Sequence, residues 1–456
     1  MNSPWLMAIG REGLSPKRLS FIFFRNKPFK GTFAIAAGLE PVLDYLKDFQ
    51  YTSSDLSYLA ALVGSDGNPL FEEAFLDYLS ALKFSCDIDA MPEGTPVFPL
   101  EPLIRVQGPI IQAQLLEGFL LNIINFQSLI ATKAARICYA AGTDPVIEFG
   151  LRRAQGIDGA LSASRGAYIG GACATSNLLA GKLFGIPVKG THAHSWIMTF
   201  EDEEEAFFAW GEAMPNNVIF LVDTYDSIEG TKKAIKVARR LREKNIEMRG
   251  VRLDSGDLAY LSIEIRALLD EAGFEEVEIM ASNALDEYII QDLKRQGAKI
   301  NSWGVGTNLV TGKDQPALDG VYKLSALRDS PNEPWRYKIK ISEQPIKITT
   351  PGILQVRRFQ DGRGYLSDMI YDIATELPEG SSHDLLIPVI RKGQVVYASP
   401  SLDEIRAKAI KELSHFRPGI RRFLYPRPYP VELEPSLHKL KLSMIKKEAY
   451  ESASHH

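Results

Sequence analysis

Three cysteines in 456 residues (Cys86, Cys138 and Cys173) are too few and too scattered for a disulfide framework, and without a CxxC they offer no zinc ribbon. That usage suits a reducing compartment, and the expectation is a soluble cytoplasmic protein. Histidine is also scarce: there are seven, and two of them are the last two residues. A multi-histidine metal cluster is therefore poorly supplied. No long basic run occurs and the formal net charge is −5, so nucleic acid is not an expected partner. The stretch MNSPWLMAIGREGLSPK lacks the apolar core of a signal peptide. Apolar runs such as LLEGFLLNIINF carry polar residues and are too short to span a bilayer, so no membrane partner is expected. The terminal SASHH is expected to fray.

The remaining composition is that of a globular protein, with 45% hydrophobic and 24% charged residues. The length suffices for two or three domains with a sizeable core. Residues 1–135 read as an α+β region. RLSFIFFR has the texture of a strand, LEPVLDYLKDF and NPLFEEAFLDYLSAL have helical spacing, and the Pro/Gly-punctuated DAMPEGTPVFPLEPLIRVQGP reads as a small sheet. A long apolar helical region, one helix or two, ends at Gly142.

From residue 136 to about 330 short apolar runs alternate with helical pieces. The runs are PVIEFG, HAHSWIM, NVIFLVD, EMRGVRLDS, VEIMASN, INSWGVG and VYKLSAL, and most end in Asp, Gly, Ser or Asn. Seven strand-plus-loop units predict an α/β architecture, an irregular TIM-like barrel, with an open doubly wound sheet as the fallback. Barrel chemistry sits at the C-terminal ends of strands, where these polar residues fall. Residues 331–456 are β-rich and then helical. DLLIPVIRKGQVVYA resembles a hairpin, SLDEIRAKAIKELSHF a capped helix, and YPRPYPVELEPS an extended segment. Part of 330–400 is expected to complete the N-terminal α+β domain.

Four stretches can carry chemistry. In GVRLDSGDL, Asp254 and Asp257 flank a serine and a glycine ahead of a helix, with Arg252 upstream. Two such carboxylates can hold ribose hydroxyls or a Mg²⁺ beside a phosphate, or they can simply cap the helix. In INSWGVGTNLVTG, Gly304, Gly306 and Thr307 can turn backbone N–H groups toward a phosphate, or form an ordinary tight turn. Ser282 and Asn283 of ASNALDEY sit at a neighbouring strand end and are equally good caps. In IEFGLRRAQG, Phe149 can stack on a flat ring and Arg152 can hold a carboxylate or phosphate, or both can be packing and solvated residues.

The fourth stretch is KGTHAHSWIM. On a strand, His192 and His194 share one face. Metal-dependent hydrolases use such a pair at an early barrel strand, but the other histidines lie beyond the barrel units. Two further readings remain: one structural and one exposed histidine, or a nucleophilic imidazole that takes a phosphoryl group.

In this order, FFRNKPFKG, VFPLEPLIRVQGPIIQAQLLE, LNIINFQSLIATKAARI, EFGLRRAQG, GTHAHSWIM, GVRLDSGDL and GVGTNLVT resemble the nicotinate phosphoribosyltransferase family across most of the chain. The related nicotinamide phosphoribosyltransferases share the scaffold and are the nearest alternative; a catalytically inactive nucleotide-binding barrel is another. The resemblance implies transfer of phosphoribose from 5-phosphoribosyl-1-pyrophosphate to nicotinate, giving nicotinate mononucleotide and pyrophosphate for NAD salvage. It implies coupling to ATP hydrolysis, use of Mg²⁺, and a homodimer with the active site at its interface.

The resemblance also assigns roles. His194 would accept the phosphoryl group, with His192 a flanking residue. Asp254 and Asp257 would hold the ribose, and Arg252 a phosphate. Ser282, Asn283, Gly304, Gly306 and Thr307 would cradle the 5′-phosphate. Phe149 would stack on the pyridine ring with Arg152 beside it. Ser176, in TSN, stands where the amide-using relatives carry an aspartate, and it would favour the acid. One departure is expected: SPWLMA only partly matches the family's DLYxLTM-like segment, whose ring-stacking tyrosine would fall at or before Ser3.

Overall fold

The computed structural model describes residues 17–330, 332–377 and 380–454. The SPWLMA stretch and the final two histidines lie outside the described residues. The chain forms two compact units. One comprises residues 1–129, 317–401 and 411–456; the other comprises 130–316 and 402–410. The helix Pro435–Ser454 reaches into the SASHH stretch as far as Ser454.

The first unit is built on a seven-stranded sheet. Its strands run, in spatial order, Arg336–Tyr337, Gly320–Arg328, Lys17–Phe24, Ile104–Pro109, Asp87–Ala90, Ile387–Arg391 and Gln394–Val395, all antiparallel to their neighbours. Leu19, Phe21, Ile22, Ile88, Ile104 and Val106 are buried in its core. The stretch VYKLSAL belongs here, not to the barrel: Val321 pairs with Phe23 and Leu327 with Arg18. Its apolar run looked like a seventh barrel strand because the composition of a strand does not reveal its partner.

Ile110–Ala141 is long and apolar enough to cross a membrane by length and composition, and exceeds the short run expected from the sequence. Its Leu116, Leu120, Ile124 and Leu129 pack into the core of the first unit. Lys133 and Arg136, further along, pair with Glu287 at 2.7 and 2.8 Å, within the second unit. Burial alone raises the Glu287 pKa, but the two cations outweigh it and bring the carboxyl below its usual value.

The second unit carries six parallel strands. They are β1 (Val146–Glu148), β2 (Ala174–Thr175), β3 (Ile219–Leu221), β4 (Gly250–Leu253), β5 (Glu278–Ala281) and β6 (Ser302–Val305). Their spatial order is β2-β1-β6-β5-β4-β3. This is the cyclic order of a barrel cut once, between β2 and β3. Val188 adds a parallel bridge to Thr175 on one lip of the seam. The α/β class therefore holds, with six strands rather than seven.

HAHSWIM is not among the strands. It is a loop that enters a short helix, His194–Met198. The strand it was expected to form is replaced by the two-residue β2. Helices Ser227–Arg242 and Leu258–Glu271 follow β3 and β4 and are capped by Asp226 and Asp257.

Candidate active site

Parallel register brings the C-terminal ends of the strands together. Arg252 lies opposite Met280 and Leu253 opposite Ala281, so Asp254 and Ser282 leave the sheet side by side. Val305 lies opposite Glu148, so Gly306 and Phe149 do likewise.

Arg252 is the hub. Its Nε donates to Ser282 Oγ at 2.9 Å, its Nη1 to Thr191 Oγ1 at 2.6 Å and its Nη2 to Asp254 Oδ1 at 3.3 Å. Its guanidinium also sits 5.7 Å from the centre of the Phe149 ring. The Ser282 hydroxyl donates to Asp254 Oδ1. The other oxygen, Oδ2, lies 3.8 Å from His194 Nε2. Asp254 is also held from behind, because its backbone N–H donates to Asp223 Oδ2 at 2.8 Å. The Ser255 hydroxyl donates to the same oxygen at 2.6 Å.

The two histidines have opposite environments. His192 is 4% exposed, and its Nε2 accepts from the Leu221 N–H at 3.2 Å. Burial pushes its pKa down to about 4, so it is a neutral structural acceptor. His194 is 40% exposed, and its Nδ1 lies 3.1 Å from Thr224 Oγ1. The expectation that a strand turns both rings to one face fails, because the residues lie in a loop and at a helix start. The reading of one structural and one exposed ring describes them.

The phosphate-type loops are close-packed. A Cβ on Gly304 would lie 2.6 Å from Phe149 Cδ2, so only glycine lets that ring lie against β6. A Cβ on Gly306 would meet the Phe149 carbonyl oxygen at 3.0 Å. Asn283 and Ala284 both have positive φ, at 82° and 43°, which bends the chain sharply after Ser282. Asn308 ties this bend to the turn after β6 by donating to the carbonyls of Ala284 and Leu285, at 2.7 and 3.1 Å. Thr307 and Asn283 are exposed at the rim.

Three expected residues stand apart from the Arg252 cluster. Asp257 is spent as the cap of Leu258–Glu271, accepting from the Tyr260 N–H at 3.1 Å. Arg152 lies on an exposed one-turn helix, Leu151–Arg153. Ser176 instead lines an open cavity of about 1040 Å³ whose wall also includes Ile147, Thr191, Ile219, Met280 and Ser302. Sequence reasoning passed over Thr191, Asp223, Thr224 and Asn308, and named Ser255 only as the serine between Asp254 and Asp257. Only Asp223 left a trace, as the polar end of NVIFLVD. Among the described residues no group of three or more His, Cys, Asp or Glu side chains is arranged to hold a metal ion.

An α/β ring with an arginine–carboxylate hub and glycine-lined loops at its strand ends suits enzymes that handle phosphorylated sugars. Comparison with known proteins narrows this. The family described as nicotinate phosphoribosyltransferase (NAPRTase) N-terminal domain matches residues 11–125, and the corresponding C-terminal domain matches residues 373–441. A nicotinate phosphoribosyltransferase of Bacillus subtilis is 41% identical over 95% of this chain and 92% of its own length. One of Dictyostelium discoideum is 38% identical over 93% and 84%. The crystal structure of human nicotinic acid phosphoribosyltransferase superposes with a TM-score of 0.84 at 31% identity, covering 96% of this chain and 98% of that one. A nicotinate-nucleotide pyrophosphorylase from Pyrococcus furiosus shares the fold, with a TM-score of 0.70 at 23% identity. The chain belongs to the nicotinate phosphoribosyltransferase family of enzymes.

Proposed function

We propose that the protein transfers the phosphoribosyl group of 5-phosphoribosyl-1-pyrophosphate to nicotinate, releasing nicotinate mononucleotide and pyrophosphate, with ATP coupled through a phosphohistidine at His194. The observation that carries this reading is the Arg252–Asp254–Ser282 cluster facing His194, with Asp254 Oδ2 turned toward the imidazole at 3.8 Å. A carboxylate there binds ribose hydroxyls and offsets the positive charge that develops at the anomeric carbon as pyrophosphate leaves. Arg252 receives phosphate oxygens on a guanidinium already oriented by three neighbours.

Ser282 and Asn283, with Gly304, Gly306 and Thr307, present donors to the 5′-phosphate. Phe149 stacks on the pyridine ring, and Arg152 approaches from the exposed side. Ser176 leaves a carboxylate unopposed where an aspartate would repel it, which favours the acid over the amide. Asp257 contributes to the ribose loop through the helix it caps.

Mg²⁺ suits this donor set. It binds through one or two carboxylates while substrate phosphates supply the rest, and Asp254 would be the protein's contribution. When bound, it neutralises the departing pyrophosphate. The reading extends to a cytoplasmic homodimer with the site at its interface. Exposed Leu178, Leu179 and Leu183 on one short helix support the dimer, and free Cys86, Cys138 and Cys173 support a reducing compartment.

The test is product formation from labelled nicotinate and phosphoribosyl pyrophosphate, with and without ATP, for wild type and His194→Ala. The expected result is turnover stimulated by ATP in the wild type and indifferent to ATP in the variant. Equal stimulation of both would remove His194 from the coupling step.

A further inference from the structure

Two adjacent residues after β3 hold two different parts of the site. Asp223 Oδ2 fixes the loop after β4 through the Asp254 N–H and the Ser255 hydroxyl. Thr224 Oγ1 holds the Nδ1 side of His194. The turn that carries them is anchored on both sides. Before it, Phe220, Leu221 and Val222 are fully buried, and Leu221 is in register with Arg252. After it, Asp226 caps a sixteen-residue helix by accepting from the N–H groups of Ile228 and Glu229 at 3.0 and 2.8 Å. The imidazole itself is 40% exposed, so packing alone does not fix its rotation.

The neighbours also bear on the tautomer. Asp254 Oδ2 lies 3.8 Å from Nε2, beyond hydrogen-bond reach, whereas the Thr224 hydroxyl at 3.1 Å from Nδ1 donates or accepts. The ring that keeps a lone pair free on Nε2 carries its proton on Nδ1 and donates it to the Thr224 hydroxyl.

We propose that Thr224 is a positioning residue: it sets the orientation and tautomer of His194 and, through its neighbour Asp223, joins the phosphoryl-accepting imidazole to the ribose-binding loop at Asp254. This rests on the reading of His194 as phosphoryl acceptor. In that step the Nε2 lone pair forms an N–P bond to the γ-phosphorus of ATP, Nδ1 keeping its proton, while the P–O bond to ADP breaks, its electron pair leaving on ADP. Water later takes the phosphoryl group, and the N–P electron pair returns to the ring. A change of bonding at His194 acts on the Thr224 contact, and the next residue along the same turn holds Asp254.

The test compares Thr224→Val and Thr224→Ser with wild type in the full-length protein. The readouts are the ¹⁵N shifts of the His194 imidazole, the rate of acid-labile labelling by [γ-³²P]ATP, and thermal melting. The expected result is that Thr224→Val melts like the wild type, shows a mixture of tautomers and labels about tenfold more slowly, the effect of one lost orienting hydrogen bond. Thr224→Ser restores the single tautomer and the rate. A Thr224→Val protein with wild-type shifts and labelling overturns the proposal while leaving the phosphohistidine intact. A wild type that acquires no label on His194 overturns both.

Discussion

Two arginine–aspartate pairs in this chain use the same chemistry for opposite ends. In the first unit Arg358 and Asp368 are both fully buried and bonded three ways: Nε to Oδ1 at 2.9 Å and to Oδ2 at 3.2 Å, and Nη2 to Oδ2 at 2.6 Å. Tyr429 donates to Asp368, Arg358 donates to the Pro96 carbonyl, and Tyr365 and Phe416 lie around the guanidinium. Glu101 beside them is held well above its usual pKa, first by burial and then by Asp368. In the second unit Arg252 meets Asp254 at 3.3 Å, with the aspartate 24% exposed and one oxygen turned to His194. One pair is closed on itself; the other leaves one carboxylate oxygen outside the pair, turned toward His194.

The comparison breaks first at Arg358. Arg358→Met leaves Asp368 charged and buried, and is expected to cost about 3–5 kcal/mol in urea unfolding. The matching change at the hub behaves the other way. Arg252→Lys keeps a charge but loses the fork that reaches Ser282, Thr191 and Asp254 together. It is expected to leave stability within about 0.5 kcal/mol and to lower kcat by about 10²–10³, as loss of a preorganised donor does. Equal losses of stability at both arginines would mean that the hub is structural too.

The histidine pair sharpens the same contrast by pH. His192 has a folded pKa of about 4, against the ordinary 6.5, because it is buried. Between those values the unfolded chain binds more protons than the folded one. The stabilising contribution is therefore complete above about pH 6.5 and shrinks as pH falls, the loss reaching about 3 kcal/mol at pH 4. His192→Asn keeps an acceptor for the Leu221 N–H without a titrating ring. It is expected to flatten the acid limb of stability measured by urea melts from pH 7.5 to pH 4. An unchanged acid limb would place the sensitivity elsewhere.

Much of the site could be read from the sequence, because parallel strands that end in polar residues announce which end does chemistry. Arg252, Asp254, Ser282 and Gly304 were legible for that reason. The steric need at Gly304 was not, since it comes from the Phe149 ring one strand away. HAHSWIM misled because Ile197 is buried while Met198 is exposed, and so short an apolar run does not separate a strand from a helical turn. β2 has two residues and no periodicity to detect. Thr224 carried no signal, and Asp223 only its place at the polar end of NVIFLVD, because their partners are 30 and 31 residues away and are set by the barrel. The antiparallel partner of Val321–Leu327 lies some 300 residues earlier, which no local pattern encodes.

Asp257 supplies the smallest and most discriminating change. Resemblance gives it the ribose, whereas its carboxylate caps Leu258–Glu271. Asparagine caps as well as aspartate but carries no charge, so the two roles separate cleanly. Asp257→Ala is expected to cost about 1 kcal/mol of stability and to raise KM for phosphoribosyl pyrophosphate slightly, by loosening the Asp254 loop at its far end. Asp257→Asn is expected to restore both. If instead the asparagine variant melts like wild type but keeps a raised KM, the charge itself meets the substrate. The ribose would then be held by two carboxylates, and the site's polarity would extend one turn further along the helix than the Arg252 hub reaches.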